Sequence, residues 1–517
     1  ITDRDIRIRL RASQQNTSVL PLDSRYAIEH DYMDTSFRSM YLGLSAFLSA
    51  NKDRRDLLLS QREPEFDTSF DARIAAASND FSRITLKAQA ARDYFLLIGP
   101  PGTGKTSRAL RGMVEAFYRD GKQILLLSYT NRAVDEICKT LSVITPEIDF
   151  IRIGSELSCD PPFRSRLIEN VLEPCSTRRE VHARIERCRV FVGTVATFSS
   201  KTDMFRLKTF DVAIVDEATQ ILEPQLLGLL CARNVAGNNA IGKFILIGDH
   251  KQLPAVVLQS ESQSEVCEEC LQSIGLYNLK DSLFERLYRT ISVNHPSPTT
   301  QHFYDMLCRQ GRMNVEVARF PNRAFYGGLL EAVGLPHQQG ELELAPGLEN
   351  DEFADVLVSR VAFLPSVPET PSQSAKINHS EAQLTARLAA AVYRQYEASN
   401  SGFNSALTLG VITPYRSQIA LIKSEIAALG IPVLNDILVD TVERFQGSER
   451  DVIIYSFCVN RTYQLKFLAN LTEEKGVWID RKLNVALTRA RKQLFMTGVP
   501  HLLRQNPIYA DLLDTVL

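Results

Sequence analysis

The chain has 517 residues, of which 44% are hydrophobic and 23% are charged, and its formal net charge is −2. This length is too great for one hydrophobic core and predicts two or three domains. The near-neutral charge excludes a polycation, so any nucleic-acid site has to be a local basic groove. No apolar run reaches membrane-spanning length, and we expect no membrane partner.

Nine cysteines, an odd number, are scattered along the chain, which is typical of a protein in a reducing interior. We therefore expect an intracellular location, cytoplasmic for a bacterial protein and nuclear for a eukaryotic one. Cys267 and Cys270 form half of a zinc-type spacing without a second CxxC. A helical surface is favoured there over a metal site.

Residues 1–70 are predicted to be a small accessory segment. In "DIRIRLRAS" the apolar residues Ile6, Ile8 and Leu10 alternate with arginines, which predicts a strand with one cationic face. That strand is either a solvated edge strand or a strand facing nucleic acid. The following stretch "DTSFRSMYLGLSAFLSA" has apolar spacings of three and four and predicts an amphipathic helix.

From about residue 90, short and nearly continuous apolar runs alternate with helical stretches, which predicts an α/β fold of parallel sheets with helices on both faces. The runs lie at residues 94–99, 123–129, 189–198, 212–217, 244–249, 406–415, 451–457 and 493–498. Segments 334–350 and 364–375 read as loops.

We therefore predict two tandem α/β domains, at residues 71–310 and 311–517. The change-over lies near 295–325, and the first domain carries a helical insertion around 139–188.

The segment "GPPGTGKTS" contains GxxxxGK[ST] after an apolar run and before a helical stretch, the context that a phosphate-binding loop requires. Its backbone N–H groups can surround phosphate oxygens, Lys105 should reach the β- and γ-phosphates, and the Thr106 hydroxyl should ligate Mg²⁺. The predicted nucleotide-binding residues are Gly99, Pro100, Pro101, Gly102, Thr103, Gly104, Lys105, Thr106 and Ser107.

Two further runs end in polar residues. "VAIVDEATQ" places Asp216 to hold Mg²⁺ in its outer coordination sphere and Glu217 to polarise the attacking water as a general base. Taken alone, such a pair is more often a helix cap. In "FILIGDHKQLPA", Asp249 and Gln252 follow the run; the glutamine can bond a γ-phosphate, or the segment is a polar turn.

The order of nine motifs from about residue 94 to 498 resembles superfamily 1 helicases of the 5′→3′ branch. The motifs are "GPPGTGKT", "LSYTNRAVDEI", "VGTVATF", "VDEATQ", "GDHKQLP", "RQGRM", "GVITPYRSQ", "TVERFQGSERDVIIYSF" and "RKLNVALTRAR". They look most like the helicase half of the replication nuclease-helicases, and the nonsense-mediated-decay RNA helicase is more distantly similar. The resemblance implies two RecA-like domains with ATP between them and a single strand across their top.

The resemblance also implies residue roles. Arg312 and Arg489 match two arginines that reach the γ-phosphate from the second domain, and Glu449, with Gly447 beside it, matches a residue near the ribose. Residues 1–70 would be the tail of an accessory barrel and stalk. The positions that match contacts to the strand backbone are Thr130, Asn131, Thr194, Pro414, Tyr415 and Thr441.

The chain departs from the family pattern at three positions. Gly311 replaces an aromatic that stacks on adenine, and Phe81 stands where a glutamine reads adenine, while Gln89 is too close to the phosphate loop. The sequence therefore does not decide between ATP, GTP and the use of both nucleotides. Glu443 replaces a frequent aspartate, a mild change.

In "RKLNVALTRARK" the spacing predicts a helix with two faces. Leu483, Ala486, Leu487 and Ala490 form the apolar face, and Arg481, Val485, Arg489 and Lys492 form the other. Asn484 and Arg481 are expected to support Arg489, whereas Arg491 forms a salt bridge or faces the nucleotide.

These observations favour an ATP- and Mg²⁺-dependent 5′→3′ DNA helicase or translocase acting in replication or repair. The alternatives are an RNA helicase of the decay type and an ATP-gated scaffold that binds nucleic acid without unwinding. A nuclease domain often accompanies this type; its carboxylate pattern is not evident in the sequence, so it would lie upstream of Ile1 or be absent. Single-stranded DNA is favoured over RNA as the partner.

Overall fold

The computed structural model describes residues 35–257, 259, 261–294, 300–369, 375–474 and 476–516. A seven-stranded and a five-stranded parallel sheet follow one another along the chain, and most buried apolar side chains pack on them. The predicted α/β class with two tandem parallel sheets is thereby confirmed. The cationic strand predicted at residues 6–11 lies outside the described residues, whereas the predicted amphipathic helix is present as Thr35–Ser49.

The seven-stranded sheet has the order β3-β4-β2-β5-β6-β1-β7, and its strands pair in parallel. Its strands read as unbroken apolar runs because both faces are covered. Phe95 and Leu97 enter one core, and Leu96 and Ile98 enter the core on the opposite face. The strands are β1 Tyr94–Ile98, β2 Ile124–Ser128, β3 Phe150–Ile153, β4 Val190–Thr194, β5 Phe210–Asp216, β6 Ile241–Gly248 and β7 Tyr304–Met306.

The five-stranded sheet has the order β10-β16-β13-β11-β12 and is also parallel. Val452 and Ile454 enter one core, whereas Ile453 and Tyr455 enter the other. A short parallel pair precedes this sheet, and an antiparallel hairpin lies within its sequence. The strands are β8 Arg309–Gln310, β9 Glu331–Ala332, β10 Val361–Pro365, β11 Leu409–Ile412, β12 Leu438–Asp440, β13 Arg450–Ser456, β14 Leu471–Glu474, β15 Val477–Asp480 and β16 Ala490–Gly498.

Helices cover both faces of each sheet. Several helices are preceded by a residue whose side chain accepts a hydrogen bond from a backbone N–H of the first turn. Ser282 does so before the helix that begins at Leu283, and Asn378 before the helix that begins at His379. In the region of the first sheet the helices are α1 Thr35–Ser49, α2 Lys52–Leu58, α3 Asp71–Ala75, α4 Asp80–Ala90, α5 Arg111–Arg119, α6 Asn131–Ser142, α7 Ile168–Leu172, α8 Arg178–Arg187, α9 Val195–Ser200, α10 Met204–Leu207, α11 Glu223–Leu230, α12 Glu261–Ser264, α13 Glu269–Gln272 and α14 Leu283–Arg289.

The remaining helices belong to the region of the second sheet. They are α15 Val315–Tyr326, α16 Pro336–Gln339, α17 Ala354–Leu357, α18 His379–Ala398, α19 Arg416–Ala428, α20 Val442–Phe445, α21 Leu465–Leu468, α22 Arg481–Leu487, α23 Pro500–Leu503 and α24 Pro507–Val516. None of the helices in the described ranges is long and apolar enough to cross a membrane.

Three sequence predictions of local structure are wrong in part. The insertion around 139–188 is not only helical, because it contains β3, in which the buried Arg152 pairs with Asp135 and interrupts the apolar run. The predicted loop at 364–375 overlaps β10, and the one at 334–350 contains α16. The predicted domain boundaries stay predictions.

The two-faced helix predicted over residues 481–492 is also wrong. α22 ends at Leu487, and Ala490 already begins β16, where it pairs with Arg450 of β13. Val485 is fully buried, and Arg489 is only 2% exposed, so the second predicted face is not a surface of the molecule at these two positions. The chain leaves the helix at Thr488 because the next residues form β16, which pairs with β10 and β13 on its two sides, so tertiary pairing overrides helical periodicity.

Candidate active site

The loop between β1 and α5 has the backbone of a phosphate cradle. Gly102 and Gly104 have φ values of +74° and +79°, which side-chain-bearing residues rarely adopt. The Thr103 hydroxyl donates to the carbonyl of Pro100 over 2.7 Å and fixes the turn from within. The chain then enters a wide helical turn, Lys105–Leu110, ahead of α5. The loop can therefore present backbone N–H groups to phosphate oxygens.

The carboxyl end of β5 meets this loop. Lys105 Nζ lies 2.7 Å from Glu217 Oε1, and the Thr106 hydroxyl donates to Asp216 Oδ2 over 2.6 Å. Glu217 has a φ of +56°, which is uncommon for a residue with a side chain and occurs often at functional sites. Gln220 Nε2 donates to the other Glu217 oxygen over 2.8 Å. The structure thus brings four predicted site residues into direct contact.

The charged groups of this cluster shift one another's pKa values. Burial raises the pKa of Asp216, and the neighbouring Glu217 carboxylate adds to that shift. Burial also opposes ionisation of Glu217, but Lys105 outweighs it and the pKa of Glu217 is lowered. For Lys105, the two carboxylates outweigh burial and raise the pKa. Glu217 is therefore an ionised carboxylate and Lys105 an ammonium ion at neutral pH.

Gln252 joins the end of β6 to the second half of the chain. Its Nε2 donates to Asp249 Oδ2 over 2.7 Å, and its Oε1 accepts from Arg489 Nη2 over 3.3 Å. The hydroxyl of the buried Tyr326 also donates to Asp249 Oδ2 over 2.7 Å, and Asn484 Nδ2 donates to that hydroxyl over 2.8 Å. Sequence reasoning missed Tyr326, because nothing in its local pattern distinguishes it from a core residue.

Arg489 is buried with neutral partners. Its guanidinium donates to the carbonyls of Val485 (3.0 Å) and Ser448 (3.4 Å), besides Gln252 and the Thr488 hydroxyl. Within the described residues, no carboxylate forms a salt bridge with it. Burial, together with the nearby Arg312 charge, lowers its pKa to about 9. A buried cation without a paired anion is costly, so an anion entering beside Arg489 would be stabilised.

Arg312 lies directly against the phosphate loop. A Cβ built on Gly102 would lie 2.4 Å from Arg312 Cβ, and the Gly311 N–H donates to the Gly102 carbonyl over 2.8 Å. The Arg312 guanidinium pairs with Glu449 at 2.6 Å. Glu449, which is predicted to lie near the ribose, and Arg312, which is predicted to reach the γ-phosphate, therefore form a salt bridge with each other.

The expected supports of Arg489 have other partners. Arg481 pairs with the buried Glu285 at 2.5 Å, and Asn484 bonds Tyr326. Arg491 approaches Asp451 (3.3 Å) and Glu449 (3.6 Å), and it also lines the cavity that contains the phosphate loop. It therefore forms salt bridges, and the nucleotide-facing interpretation stays a prediction.

One cavity of ≈ 2060 Å³ is lined by the phosphate loop, Glu217, Gln252, Arg312 and Arg489. The predicted ribose-side residues Gly447 and Glu449 line it as well, so both halves of the chain face the same space. Gly447 has a φ of +74° and open space around it.

The same cavity has apolar walls at the positions that depart from the family pattern. A Cβ built on Gly311 would lie 3.4 Å from side-chain atoms of Val333 and Leu335. Aliphatic groups therefore lie next to the position where the family has an aromatic residue. The Phe81 ring carries the Arg108 guanidinium at 4.9 Å from its centroid. Gln89 instead donates to Asp120 and does not line the cavity.

The predicted strand-contacting residues lie at carboxyl ends of strands in both sheets. Thr130 follows β2 and caps the N-terminus of α6. Thr194 is the last residue of the neighbouring strand β4 and caps the N-terminus of α9. Thr194 is 5% exposed, and its hydroxyl lies 2.8 Å from that of Thr197, so only a small part of it can meet a ligand. Thr130 is exposed, and Asn131 is half-buried.

In the second sheet, Pro414 and Tyr415 follow β11, and Thr441 follows the adjacent β12. All three are half-buried. Because the carboxyl ends of parallel strands meet at one edge of a sheet, each half gathers its predicted contacts on one edge.

The two cysteines of the CxxC are exposed beside α13. Among the residues that the structure describes, no group of three or more His, Cys, Asp or Glu side chains could hold a metal ion.

Two family models, each described as an AAA domain, match the chain, one at residues 77–187 and 166–260 and the other at 279–501. The chain is 29% identical over 99% of its length to DNA replication ATP-dependent helicase/nuclease JHS1 of Arabidopsis thaliana, of which it covers 36%. It is 32% identical over 80% of its length to DNA replication ATP-dependent helicase/nuclease DNA2 of Xenopus laevis, again covering 36%.

The chain belongs to the superfamily 1 helicases. It spans about a third to a half of the length of the relatives it matches. The chain is also similar to a solved structure titled as arterivirus nonstructural protein 10 (helicase) with DNA. The alignment covers 80% of this chain and 62% of the viral chain, with a TM-score of 0.38 and 14% identity.

Proposed function

We propose that this chain is an ATP-dependent helicase or translocase that moves 5′→3′ along single-stranded DNA, in replication or repair. One observation carries the proposal: the buried Arg489 of the second half bonds Gln252 of the first half within the cavity that holds the phosphate loop. Cations on one side and a phosphate cradle on the other are the two parts that phosphoryl transfer requires.

ATP would lie with its phosphates on the loop at residues 99–107. A γ-phosphate would compete with Glu217 for Lys105, because both anions seek the same ammonium group, now 2.7 Å from Glu217. Glu217 would then be available to orient water and accept its proton, while Gln220 keeps the carboxylate in place.

Mg²⁺ fits this site, since a hydroxyl and a carboxylate are the hard oxygen ligands that it prefers. Thr106 and Asp216 would hold it, and when bound it would neutralise phosphate charge.

Arg312 and Arg489 would supply the positive charge on the far side of the γ-phosphate. Arg312 would have to exchange Glu449 for phosphate, whereas Arg489 is held by neutral groups. Turnover would therefore depend on how the two halves sit against each other. Opening and closing them would shift the two groups of strand-contacting residues relative to one another, which couples hydrolysis to movement.

The strand contacts are proposed at the carboxyl-edge residues of both sheets, chiefly to phosphate and sugar. Such contacts give affinity without sequence choice and a strong dependence on salt. DNA is proposed over RNA because the relatives are named for DNA replication. A nuclease domain in the same protein stays a prediction.

The test is ATP turnover by the purified chain with single-stranded DNA or RNA, followed by unwinding of duplexes with a 5′ or a 3′ tail. We expect stimulation by DNA and unwinding only from 5′ tails. Stimulation by RNA alone would favour the decay-type function, and unwinding only from 3′ tails would overturn the polarity. Glu217→Gln serves as the control; if it left turnover unchanged, the observed hydrolysis would not come from this site.

A further inference from the structure

The segment after β13 carries two exposed aromatic rings. Tyr463 is 52% exposed and Phe467 is 66% exposed, with ring centroids 6.5 Å apart in an edge-to-face arrangement. Between and beside them, Leu465 and Leu468 are buried. The short helix α21 is therefore anchored by its aliphatic side chains while both rings stay at the surface.

A buried glutamine holds this segment in place. Gln464 is 2% exposed, and its Oε1 accepts from the N–H groups of Asn460 and Arg461, both at 2.9 Å. Its Nε2 donates to the Ala375 carbonyl (2.8 Å) and to the Tyr415 hydroxyl (3.3 Å). The exposed rings are thus fixed relative to Tyr415, and little ordering would accompany ligand binding.

The location adjoins the predicted strand path. β13 and β11 are neighbours in the sheet, and the segment after β13 lies at the same edge as Pro414 and Tyr415 after β11. A small cleft of ≈ 180 Å³ is lined by Lys376, Tyr415, Tyr463, Gln464 and Phe467. This volume is well below the roughly 300–1,000 Å³ of pockets for drug-sized ligands, which suits one planar group.

The surrounding charge is cationic. Four exposed side chains, Lys376, Arg416, Arg461 and Lys466, lie on the three segments that meet here. Residues 375–378, 414–418 and 458–468 contain no aspartate or glutamate. Glu369 borders the segment through its backbone N–H, which donates to Asn460, but its carboxylate accepts hydrogen bonds from the N–H and Nδ1 of His379.

We infer that Tyr463 and Phe467 form a base-stacking platform, on which a base of the single strand rests while its phosphates face the surrounding cations. The inference rests on the proposed function and extends it to two residues outside the family motifs. Rings that are rigid, exposed and flanked by cations match the stacking-plus-groove design of sequence-independent strand binding. An acidic peptide would use the cations but would gain little from the paired ring faces.

The decisive experiment compares wild type with the Tyr463→Leu/Phe467→Leu double variant on two labelled oligonucleotides by fluorescence anisotropy. One oligonucleotide is intact, and the other carries abasic sites that keep the phosphates. Losing the stacked base should weaken wild-type binding about five- to a hundred-fold. The double variant should be weaker on the intact strand by the same factor and should bind both strands equally.

Two controls separate stacking from charge and from misfolding. Tyr463→Phe keeps the ring and should bind as wild type does, and Tyr41→Leu removes an exposed tyrosine of α1 and should have no effect. The double variant should keep the salt slope of wild type, whereas Lys466→Gln should lower that slope by about one. Unchanged ATP turnover without oligonucleotide shows that the double variant is folded.

The outcomes distinguish this inference from the function on which it rests. If wild type binds the intact strand and the double variant binds it equally well, the platform is refuted and the proposed function stands. If the double variant still prefers the intact strand over the abasic one by the wild-type factor, the platform is refuted as well. If wild type binds neither strand, with or without nucleotide, the proposed function itself fails.

Discussion

The seven-stranded half and the five-stranded half bring different chemistry to the cavity that they share. In the first half, the charged groups already have partners, since Lys105 contacts Glu217 and Thr106 contacts Asp216. In the second half, Arg489 is buried among carbonyls and amide oxygen, without a carboxylate partner in the described part of the chain. The second half therefore has more to gain from an anionic ligand.

This difference suggests a division of labour. The first half can hold a nucleotide by exchanging existing ion pairs, which changes its electrostatic energy little. In the proposed mechanism, the second half would stabilise the extra negative charge that develops during phosphoryl transfer, because its buried guanidinium has no carboxylate partner among the described residues. Binding should thus depend mainly on the first half and turnover on both.

The largest effect is expected at Arg489. Arg489→Ala should lower ATP turnover about 10³- to 10⁵-fold while nucleotide affinity is kept, because an arginine of this kind acts on transition-state charge. Steady-state turnover and equilibrium binding of a fluorescent ATP analogue measure the two quantities. Arg387→Ala is the matched control, since Arg387 pairs with Glu352 on the surface and does not line the cavity, and it should change turnover little. Equal losses in both variants would show that the effect is not specific to Arg489.

The first half should respond differently at Glu217, its proposed general base. Glu217→Gln should lower turnover about 10²- to 10⁴-fold, a usual range for proton transfer by a positioned side chain. It should also tighten nucleotide binding, because Lys105 loses its competing carboxylate. Glu115→Gln, on the surface of α5, should leave both quantities unchanged. Weaker nucleotide binding by Glu217→Gln would contradict the proposed competition for Lys105.

A pH effect on stability should come from the second half. Burial raises the pKa of Glu381 to about 7 from 4.5, although it accepts hydrogen bonds from Ser456 Oγ and the Cys458 N–H, both at 2.8 Å. The folded state therefore binds a proton more tightly than the unfolded state, and stability falls as pH rises between about 4.5 and 7. The loss should reach roughly 3 kcal/mol.

The measurement is urea unfolding of wild type and Glu381→Gln from pH 5 to pH 8. The glutamine variant cannot ionise, so its unfolding free energy should decline less over this range. Parallel pH profiles of the two proteins would show that Glu381 does not titrate in the folded state as stated.

The smallest effect concerns the contact between the two halves at Gly102 and Arg312. Gly102→Ala and Gly121→Ala both place a side chain at a φ near +75°, which costs about 1–2 kcal/mol. Only the Gly102 methyl group would meet the other half, 2.4 Å from Arg312 Cβ, while Gly121 has nothing within 4 Å. Gly102→Ala alone should lower turnover, by about ten-fold or more. Similar turnover in the two variants would show that close contact between Gly102 and Arg312 is not needed for turnover.

The sequence predicted most of the sheet framework because buried parallel strands are nearly continuous apolar runs. It missed β3, where Arg152 interrupts the run and is buried against Asp135. It also missed β10, which overlaps a predicted loop, and β7 and β12, which have only three residues each. It also extended a helix through Arg489, because spacing alone carries no information on the strand pairing of Ala490 with Arg450.

For the site, the phosphate loop and the ends of β5 and β6 could be located from motif and context. The arginines could be placed only through the resemblance, since no local pattern connects residues 312 and 489 with residue 105. Contacts such as Tyr326 with Asp249, and Arg312 with Glu449, join residues 77 and 137 positions apart and left no signal in the sequence.

The central claim is that Arg489 acts across the cavity on the transition state of a nucleotide held by the first half. Titrating wild type and Arg489→Ala with ADP, with and without aluminium fluoride in the presence of Mg²⁺, tests it most directly. We predict equal affinity for ADP and a loss of affinity for the ADP–aluminium fluoride complex that matches the loss of turnover. Retained affinity for that complex in a variant that has lost turnover, or an equal loss for ADP alone, would contradict the account.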